Sequence, residues 1–117
     1  MTVYGIKNCD TVKKALTWLK DNGVAYDFHD YKSKGVDEGK LRNWAGQVGW
    51  EALVNRKGTT WRQLDDAQKD AVRDEASAIA LMKDKTSVIK RPLLEANGKV
   101  LSVGFDVETY TDLFSAK

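Results

Sequence analysis

In the first part of the chain, the spacing of apolar residues changes from that of a strand to that of a helix and back to that of a strand. This pattern constrains the fold more than any other feature. Residues 2–6 predict a short strand. Residues 10–22 predict a helix with one apolar face, formed by Val12, Ala15, Leu16 and Leu19. Gly23 predicts the end of that helix, and residues 24–29 alternate as a half-buried strand does. A strand–helix–strand unit has a right-handed crossover, so we expect the two strands to be parallel.

The only cysteine, Cys9, lies where the turn after the first predicted strand becomes the helix. Backbone N–H groups at a helix N-terminus lack intrahelical partners, and the helix dipole adds positive charge there, so both favour a thiolate. Lys7, Lys13 and Lys14 add to this effect by their charge, whereas Asp10 opposes it. Cys9 is therefore either a reactive nucleophile or a small core residue, as free cysteines often are.

The position of Cys9 is also a usual one for a functional site, because open α/β sheets place their sites at the carboxyl ends of strands. The single histidine, His29, falls on the polar side of the second predicted strand. We interpret it either as a surface residue or as an imidazolium partner of the Cys9 thiolate.

The remainder of the chain predicts a helical segment and then a hairpin. Residues from about 37 to 84 have helical patterns, and one face of the first helix is apolar: Leu41, Trp44, Ala45 and Val48. Thr60 and Gln63 have the spacing of a capping box. Asn97-Gly98 between two apolar runs predicts a two-residue hairpin turn, and Asp106 is expected to N-cap a last helix.

This order of elements, β-α-β, helical insertion, β-β-α, predicts an α/β, thioredoxin-like fold with a mixed four-stranded sheet. We expect one domain, with the thioredoxin-like core at about residues 1–34 and 85–117 and an all-helical insertion at about 35–84. In that plan Arg91-Pro92 packs beside Cys9. Proline within a sheet is confined to special positions, which favours a cis Arg91–Pro92 bond; the alternative is a plain trans proline entering a strand.

Composition narrows the class of protein. With 42% hydrophobic and 31% charged residues the chain is typical of a globular domain, and its net charge of +2 is too small to indicate nucleic-acid binding. No apolar run approaches the ~18 residues that span a membrane, and no signal peptide is recognisable. A single cysteine excludes an internal disulfide, so we expect a reducing, cytoplasmic location.

Three motifs stand in order on either side of the helical insertion: Tyr4-Gly5-Ile6-Lys7-Asn8-Cys9-Asp10-Thr11, Ile89-Lys90-Arg91-Pro92-Leu93 and Val103-Gly104-Phe105. Together they resemble the arsenate reductase (ArsC) family, which also contains the Spx regulators, over essentially the whole chain. The first two look most like the YffB-type branch. The resemblance implies a thioredoxin-like core and a cysteine nucleophile, which Cys9 matches. It also implies arginines that hold an oxyanion or a glutathione thiolate leaving group.

The resemblance assigns further residues to the expected site. Arg91 matches the arginine of the family's Arg-Pro motif, and Pro92 matches the proline expected to be cis. Arg56 matches the family's earlier anion-binding arginine. Asn8 and Thr11 flank the cysteine and are expected to hydrogen-bond around its sulfur.

The chain departs from the family pattern at three places. Arsenate reducers carry Gly-Arg-Pro where this chain has Gly104-Phe105-Asp106, and a histidine where it has Gly5. Spx regulators usually carry Cys-x-x-Cys, but the second position here is Val12. Loss of one bidentate cationic contact is expected to weaken an arsenate site by about 1 kcal/mol or more.

These features together predict a glutathione-dependent thiol–disulfide oxidoreductase with a single nucleophilic cysteine. Because the chain has no second cysteine, the resolving thiol must come from outside, and glutathione is the expected co-substrate through a mixed disulfide at Cys9. Arg56 and Arg91 are expected to orient the anionic partner. Two alternatives stay open: weak arsenate reduction, and a non-enzymatic Spx-like regulatory module. No metal, bound organic cofactor, nucleic acid or membrane partner is expected.

Overall fold

The computed structural model describes residues 1–114, which form two compact units. One unit contains Met1–Tyr31 and the described residues from Arg91 onward, and the other contains Lys32–Lys90. The elements of the first unit are β1 (Thr2–Gly5), α1 (Asp10–Asp21), β2 (Asp27–Asp30), β3 (Leu93–Ala96), β4 (Lys99–Val103) and α8 (Val107–Phe114).

Short helices dominate the second unit. They are α2 (Tyr31–Lys34), which begins at the last residue of the first unit, α3 (Glu38–Val48), α4 (Trp50–Leu53), α5 (Thr59–Arg62), α6 (Asp66–Asp70) and α7 (Glu75–Asp84), followed by a 3-10 turn (Thr86–Val88). Among the described residues, no helix combines the length and apolar character that crossing a membrane requires.

The sheet of the first unit has the strand order β2-β1-β3-β4. β1 is parallel to β2, with Tyr4 opposite His29, and antiparallel to β3, with Tyr4 opposite Leu93. β3 and β4 are antiparallel. The thioredoxin-like mixed sheet is therefore confirmed. Its register brings the segment after β2 and the segment before β3 to the edge of the sheet at which Cys9 follows β1.

Helix α1 buries the apolar face that its sequence predicts. Val12, Ala15 and Leu19 have no solvent exposure. Ala15 and Leu19 belong to a core cluster whose other fully buried members are Val3, Leu94 and Tyr110. Full burial of one large aliphatic side chain stabilises a fold by about 1.5–3 kcal/mol, so this face fixes α1 on the sheet.

The end of α1 is closed by a glycine cap just before β2. Gly23 adopts a φ of +70°, and its N–H donates to the Lys20 carbonyl at 3.1 Å. The Val24 N–H donates to the Leu19 carbonyl at 2.9 Å, which completes a Schellman motif. The Val24 N–H thus belongs to the helix cap and not to the sheet. β2 is shorter than its alternating pattern and begins at Asp27, whose N–H donates to the Met1 carbonyl at 2.9 Å.

The predicted hairpin and final N-cap are both confirmed. Asn97 and Gly98 have φ values of 53° and 79°, as a type I′ turn requires, and they join β3 to β4. Asp106 directly precedes α8, and its carboxylate accepts a hydrogen bond from the Thr109 N–H at 3.1 Å.

In the second unit, the apolar face of α3 is confirmed except at one residue. Leu41, Trp44 and Ala45 are buried, but Val48 is 37% exposed, so the prediction that it faces the core is wrong. Val48 is the last residue of α3, and the chain leaves the helix at Gly49 with a φ of +86°.

The capping box predicted at Thr60 and Gln63 is also wrong. Helix α5 begins two residues earlier than that spacing requires, and its N-cap is Gly58, which has no side chain to accept a hydrogen bond. Capping boxes form instead at the starts of α6 and α7, with Asp65 and Asp74 as the N-caps.

The second unit also contains one short extended pairing. Val54 and Ile89 form an antiparallel bridge. The Lys90 N–H donates to the Leu53 carbonyl at 2.6 Å, and the Asn55 N–H donates to the Val88 carbonyl at 2.7 Å. The chain therefore leaves this unit in an extended conformation that leads directly to Arg91.

Candidate active site

Cys9 is the N-cap residue of α1. Its backbone is extended, with φ −125° and ψ 124°, and its carbonyl accepts the first helical hydrogen bond from the Lys13 N–H at 2.9 Å. The side chain is partly exposed. The thiol therefore lies at the N-terminus of a regular helix, as the sequence predicts, and not in the hydrophobic core.

The surroundings of Cys9 favour its thiolate. Partial burial raises the pKa of the thiol, but three groups act in the opposite direction and outweigh it. These are the Val12 backbone N–H, the Arg91 guanidinium through a hydrogen bond and its charge, and the Thr11 backbone N–H. Thr11 and Val12 are the N2 and N3 positions of α1, whose N–H groups have no intrahelical acceptor. The net effect holds the pKa of Cys9 below its ordinary value.

Arg91 reaches Cys9 from the segment before β3. The Arg91–Pro92 peptide bond is cis, as expected. Pro92 is buried, and its carbonyl accepts a hydrogen bond from the Gly104 N–H at 2.8 Å. The guanidinium of Arg91 hydrogen-bonds the Cys9 thiol. The expectation that Arg91 lies beside Cys9 thus agrees with the geometry.

Tyr31 is a member of this cluster that the sequence pattern does not single out. It is fully buried, and burial raises the pKa of its phenol far above the ordinary range, so the hydroxyl stays neutral. The phenol oxygen accepts a hydrogen bond from the Arg91 guanidinium, which also opposes that rise. Tyr31 immediately follows β2, the strand parallel to β1, and this is the signal by which sequence reasoning would find it.

Asn8 and Thr11 flank Cys9 on the solvent side. Both side chains are exposed, and Thr11 acts on the sulfur through its backbone N–H. Direct contact of these two side chains with a substrate stays a prediction. His29 is partly buried, and its ring lies 5.0 Å from that of Tyr4. The Tyr4 hydroxyl also donates to buried Glu95 at 3.2 Å, and the charged side chain that hydrogen-bonds the Cys9 thiol is Arg91.

Arg56 lies in the second unit, in aromatic surroundings. Its side chain is exposed, and its Cζ atom is 5.7 Å from the ring centroids of both Trp50 and Trp61, which is cation–π distance. Arg56 also lines a cavity of about 260 Å³ together with Lys57 and Lys90. Glu51 lines the same cavity, so its three positive charges are partly offset. The substrate-binding role that the resemblance assigns to Arg56 stays a prediction.

Comparison with known proteins identifies the family. A structure of a YFFB protein is 54% identical, with a TM-score of 0.87 over 95% of this chain and 96% of that chain. The solution structure of an arsenate reductase (ArsC) related protein from Brucella melitensis is 50% identical, with a TM-score of 0.77 over 97% of this chain and 92% of that chain. An uncharacterized protein of Haemophilus influenzae is 44% identical over 98% of this chain and 99% of its own length. The model of the ArsC family matches residues 4–113, and the chain therefore belongs to the ArsC family.

Proposed function

We propose that this protein is a glutathione-dependent thiol–disulfide oxidoreductase whose nucleophile is Cys9. The observation that carries the proposal is the cluster of Cys9, the first-turn N–H groups of α1 and the Arg91 guanidinium, which together lower the pKa of the thiol. A thiolate is the attacking species in disulfide exchange, so a lowered pKa supplies it near neutral pH. A reductase related to the arsenate reductases is consistent with the family.

The single cysteine determines the reaction sequence. The Cys9 thiolate attacks the glutathionyl sulfur of a mixed disulfide, which forms a Cys9–glutathione disulfide and releases the other partner as a thiolate that takes a proton from solvent. A glutathione thiolate then attacks the glutathionyl sulfur on Cys9 and leaves as oxidised glutathione, which restores the Cys9 thiolate. Since no second cysteine exists in the chain, this external thiol is required in each cycle. Such a cycle needs a reducing compartment, so we propose that the protein acts in the cytoplasm.

Each residue of the cluster has a distinct part in this cycle. Arg91 stabilises the Cys9 thiolate both before attack and when it leaves, through a charge-assisted hydrogen bond. Tyr31 is a positioning residue, because its buried phenol holds the guanidinium. Thr11 and Asn8 would donate hydrogen bonds to the glutathionyl group from the open side of the sulfur.

Arsenate reduction is the second candidate in the same chemistry, and the side chain of Phe105 argues for a low rate. Phe105 occupies the place of the third arginine in arsenate reducers, and its ring packs edge-on against Tyr110 with the centroids 4.9 Å apart. A hydrogen bond to a charged group contributes about 1.5–3 kcal/mol in a sheltered site. Its absence from the transition state corresponds to roughly 10- to 100-fold slower turnover.

Intact-mass measurement after incubation with oxidised glutathione tests the proposal. We expect a single glutathionyl adduct that forms in the unmodified protein, is absent from Cys9→Ser, and is removed by reduced glutathione. Steady-state reduction of a small glutathione mixed disulfide should follow the same dependence on Cys9. If no adduct forms, or if the Cys9→Ser variant still performs the cellular role of the protein, the protein is a binding module and not a reductase.

A further inference from the structure

A groove on the surface of the first unit is separate from the cluster around Cys9. It has a volume of about 420 Å³ and is lined by Lys13, Lys14, Thr17, Trp18, Asp21 and Phe105. All but Phe105 lie on α1, and Phe105 lies in the loop between β4 and α8. The volume falls within the range of roughly 300–1,000 Å³ that is typical of ligand sites.

The aromatic wall of the groove packs against the core. Trp18 and Phe105 are both partly exposed, and both pack edge-on against the fully buried Tyr110, with centroid separations of 5.5 and 4.9 Å. Tyr110 in turn belongs to the core cluster beneath α1. Edge-to-face contacts of this kind hold the two outer rings in place, so the groove is formed before any ligand binds.

The groove continues the helix row that begins at the nucleophile. Cys9 and part of the groove lining belong to one row of residues spaced four apart: Cys9, Lys13, Thr17 and Asp21. Residues four apart are neighbours on a helix surface, so the groove starts about one turn, or 5.4 Å, beyond Cys9. It extends about 12 Å further along α1. A ligand bonded to Cys9 through sulfur therefore has this groove along the helix in front of it.

The dimensions match an extended peptide. Along the axis, Lys13 and Lys14 lie roughly 6–8 Å from Cys9, and Trp18 lies roughly 13 Å from it. An extended chain advances about 3.3 Å per residue, so these distances correspond to about two and four residues from a peptide cysteine. Side chains two apart on an extended chain point the same way, so all three positions of the peptide would face the groove.

We propose that this groove binds a protein substrate in which the reactive cysteine is followed or preceded by an acidic residue two positions away and a large apolar residue four positions away. The two lysines complement the acidic side chain, and the rings of Trp18 and Phe105 receive the apolar one. Glutathione itself has no apolar side chain to fill the aromatic end. The inference rests on the proposed function and refines it: the substrates are glutathionylated proteins, and Cys9 removes their glutathionyl group with the electron balance given above.

Matched peptides test this inference. The probe peptide is glutathionylated on a terminal cysteine and carries glutamate at the second and phenylalanine at the fourth position beyond it. A second probe peptide with the reversed sequence tests the opposite chain direction. The comparison peptide carries lysine and serine at those two positions. We expect kcat/KM for the better probe order to exceed that of the comparison peptide by tenfold or more.

Variants on α1 assign the preference to the groove. Lys13→Glu combined with Lys14→Glu should remove most of the tenfold preference, while Lys20→Glu, an exposed charge reversal on the same helix outside the groove, should not. Phe105→Ala should also reduce it, with Leu113→Ala as the control, because Leu113 is an exposed apolar residue of α8 that does not line the groove. Each peptide rate is divided by the rate with a small glutathione mixed disulfide.

A binding measurement separates this inference from the proposed function. The Cys9→Ser protein is titrated with the unmodified probe peptide and followed by amide NMR shifts, which need no turnover. Shifts confined to residues 13–21, and weakened by salt, would support the groove even if no substrate is reduced. Equal kcat/KM for probe and comparison peptides, or the absence of shifts on α1, would overturn it. Turnover of small mixed disulfides with no peptide preference would leave the proposed function standing alone.

Discussion

The substitution Gly5→Ala is expected to destabilise the protein strongly for a change of one methyl group. Gly5 is buried at the end of β1, and a Cβ atom there would lie 2.9 Å from Cγ2 and 3.4 Å from Cγ1 of Val12. Carbon atoms in favourable contact are about 3.5–4.0 Å apart, so at least one element must move by roughly half an ångström. Val12 has no solvent exposure and, as a β-branched residue in a helix, a single strongly preferred rotamer, so it cannot turn aside.

The expected cost follows from that overlap. Insertion of a methyl group into a well-packed core costs about 1–3 kcal/mol. Val12→Ala alone should cost a similar amount, because two buried methyl groups contribute about 0.8 kcal/mol each and leave a cavity. In the double variant, the methyl group at position 5 enters the space that Val12 vacates. We therefore expect the double variant to be more stable than the sum of the single changes by about 1–2 kcal/mol.

Urea unfolding of the four proteins measures this coupling. Gly46→Ala is the matched control, because Gly46 lies within α3 and a Cβ atom added there would meet no neighbouring side chain within 4 Å. Alanine at that position should raise stability by about 0.5–1 kcal/mol. A loss below about 0.5 kcal/mol for Gly5→Ala, or strictly additive effects in the double variant, would refute the steric reasoning.

Five further outcomes are expected. Alkylation of Cys9 by iodoacetamide should inflect below the ordinary thiol pKa of about 8.5, and Arg91→Met should move the inflection upward. Since the pKa is depressed on folding, the Cys9 thiolate stabilises the protein above the unfolded thiol pKa, and this part of the free energy of unfolding should be lost as pH falls through the folded pKa. Tyr31→Phe should lower the free energy of unfolding by about 1–3 kcal/mol, because it removes a buried acceptor of the guanidinium, as urea unfolding would report. Phe105→Arg should raise kcat/KM for arsenate by less than the roughly 10- to 100-fold of a sheltered contact, because position 105 is partly exposed and Asp106 stands beside it. Arg56→Ala should raise KM for a glutathione mixed disulfide more than it lowers kcat, and both variants are measured at steady state.

The features predicted correctly from the sequence are those encoded by neighbouring residues. The face of α1 follows from a period of 3.6, and the Asn97-Gly98 turn follows from two residues that tolerate positive φ. The cap at Asp106 is equally local. Once such elements are placed, the right-handed β1–α1–β2 crossover and the β3–β4 hairpin allow few strand orders. The order of the thioredoxin-like sheet is one of them.

The features missed by sequence reasoning depend on distant partners or on the exact start of a helix. Tyr31 contacts Arg91 across sixty positions of sequence, and only its place directly after β2 distinguishes it from an ordinary loop aromatic. Thr60 has a suitable spacing to Gln63, yet the helix starts earlier, after Gly58. Val48 fits the helical period but lies at the last residue of the helix, where the packed face has ended.

Gly5 and Phe105, where the chain departs from the arsenate reductase pattern, differ in how tightly they are packed in the first unit. Gly5 is held small by the fully buried Val12, so a histidine at this position would require the start of α1 to be repacked. Phe105 is partly exposed and contacts Tyr110 with one edge, so an arginine can replace it while its charged end stays in water. An arginine is therefore more readily accommodated at position 105 than a histidine is at position 5. The same change would remove the aromatic end of the groove, so a gain in arsenate turnover should accompany a loss of preference for peptides with an apolar residue.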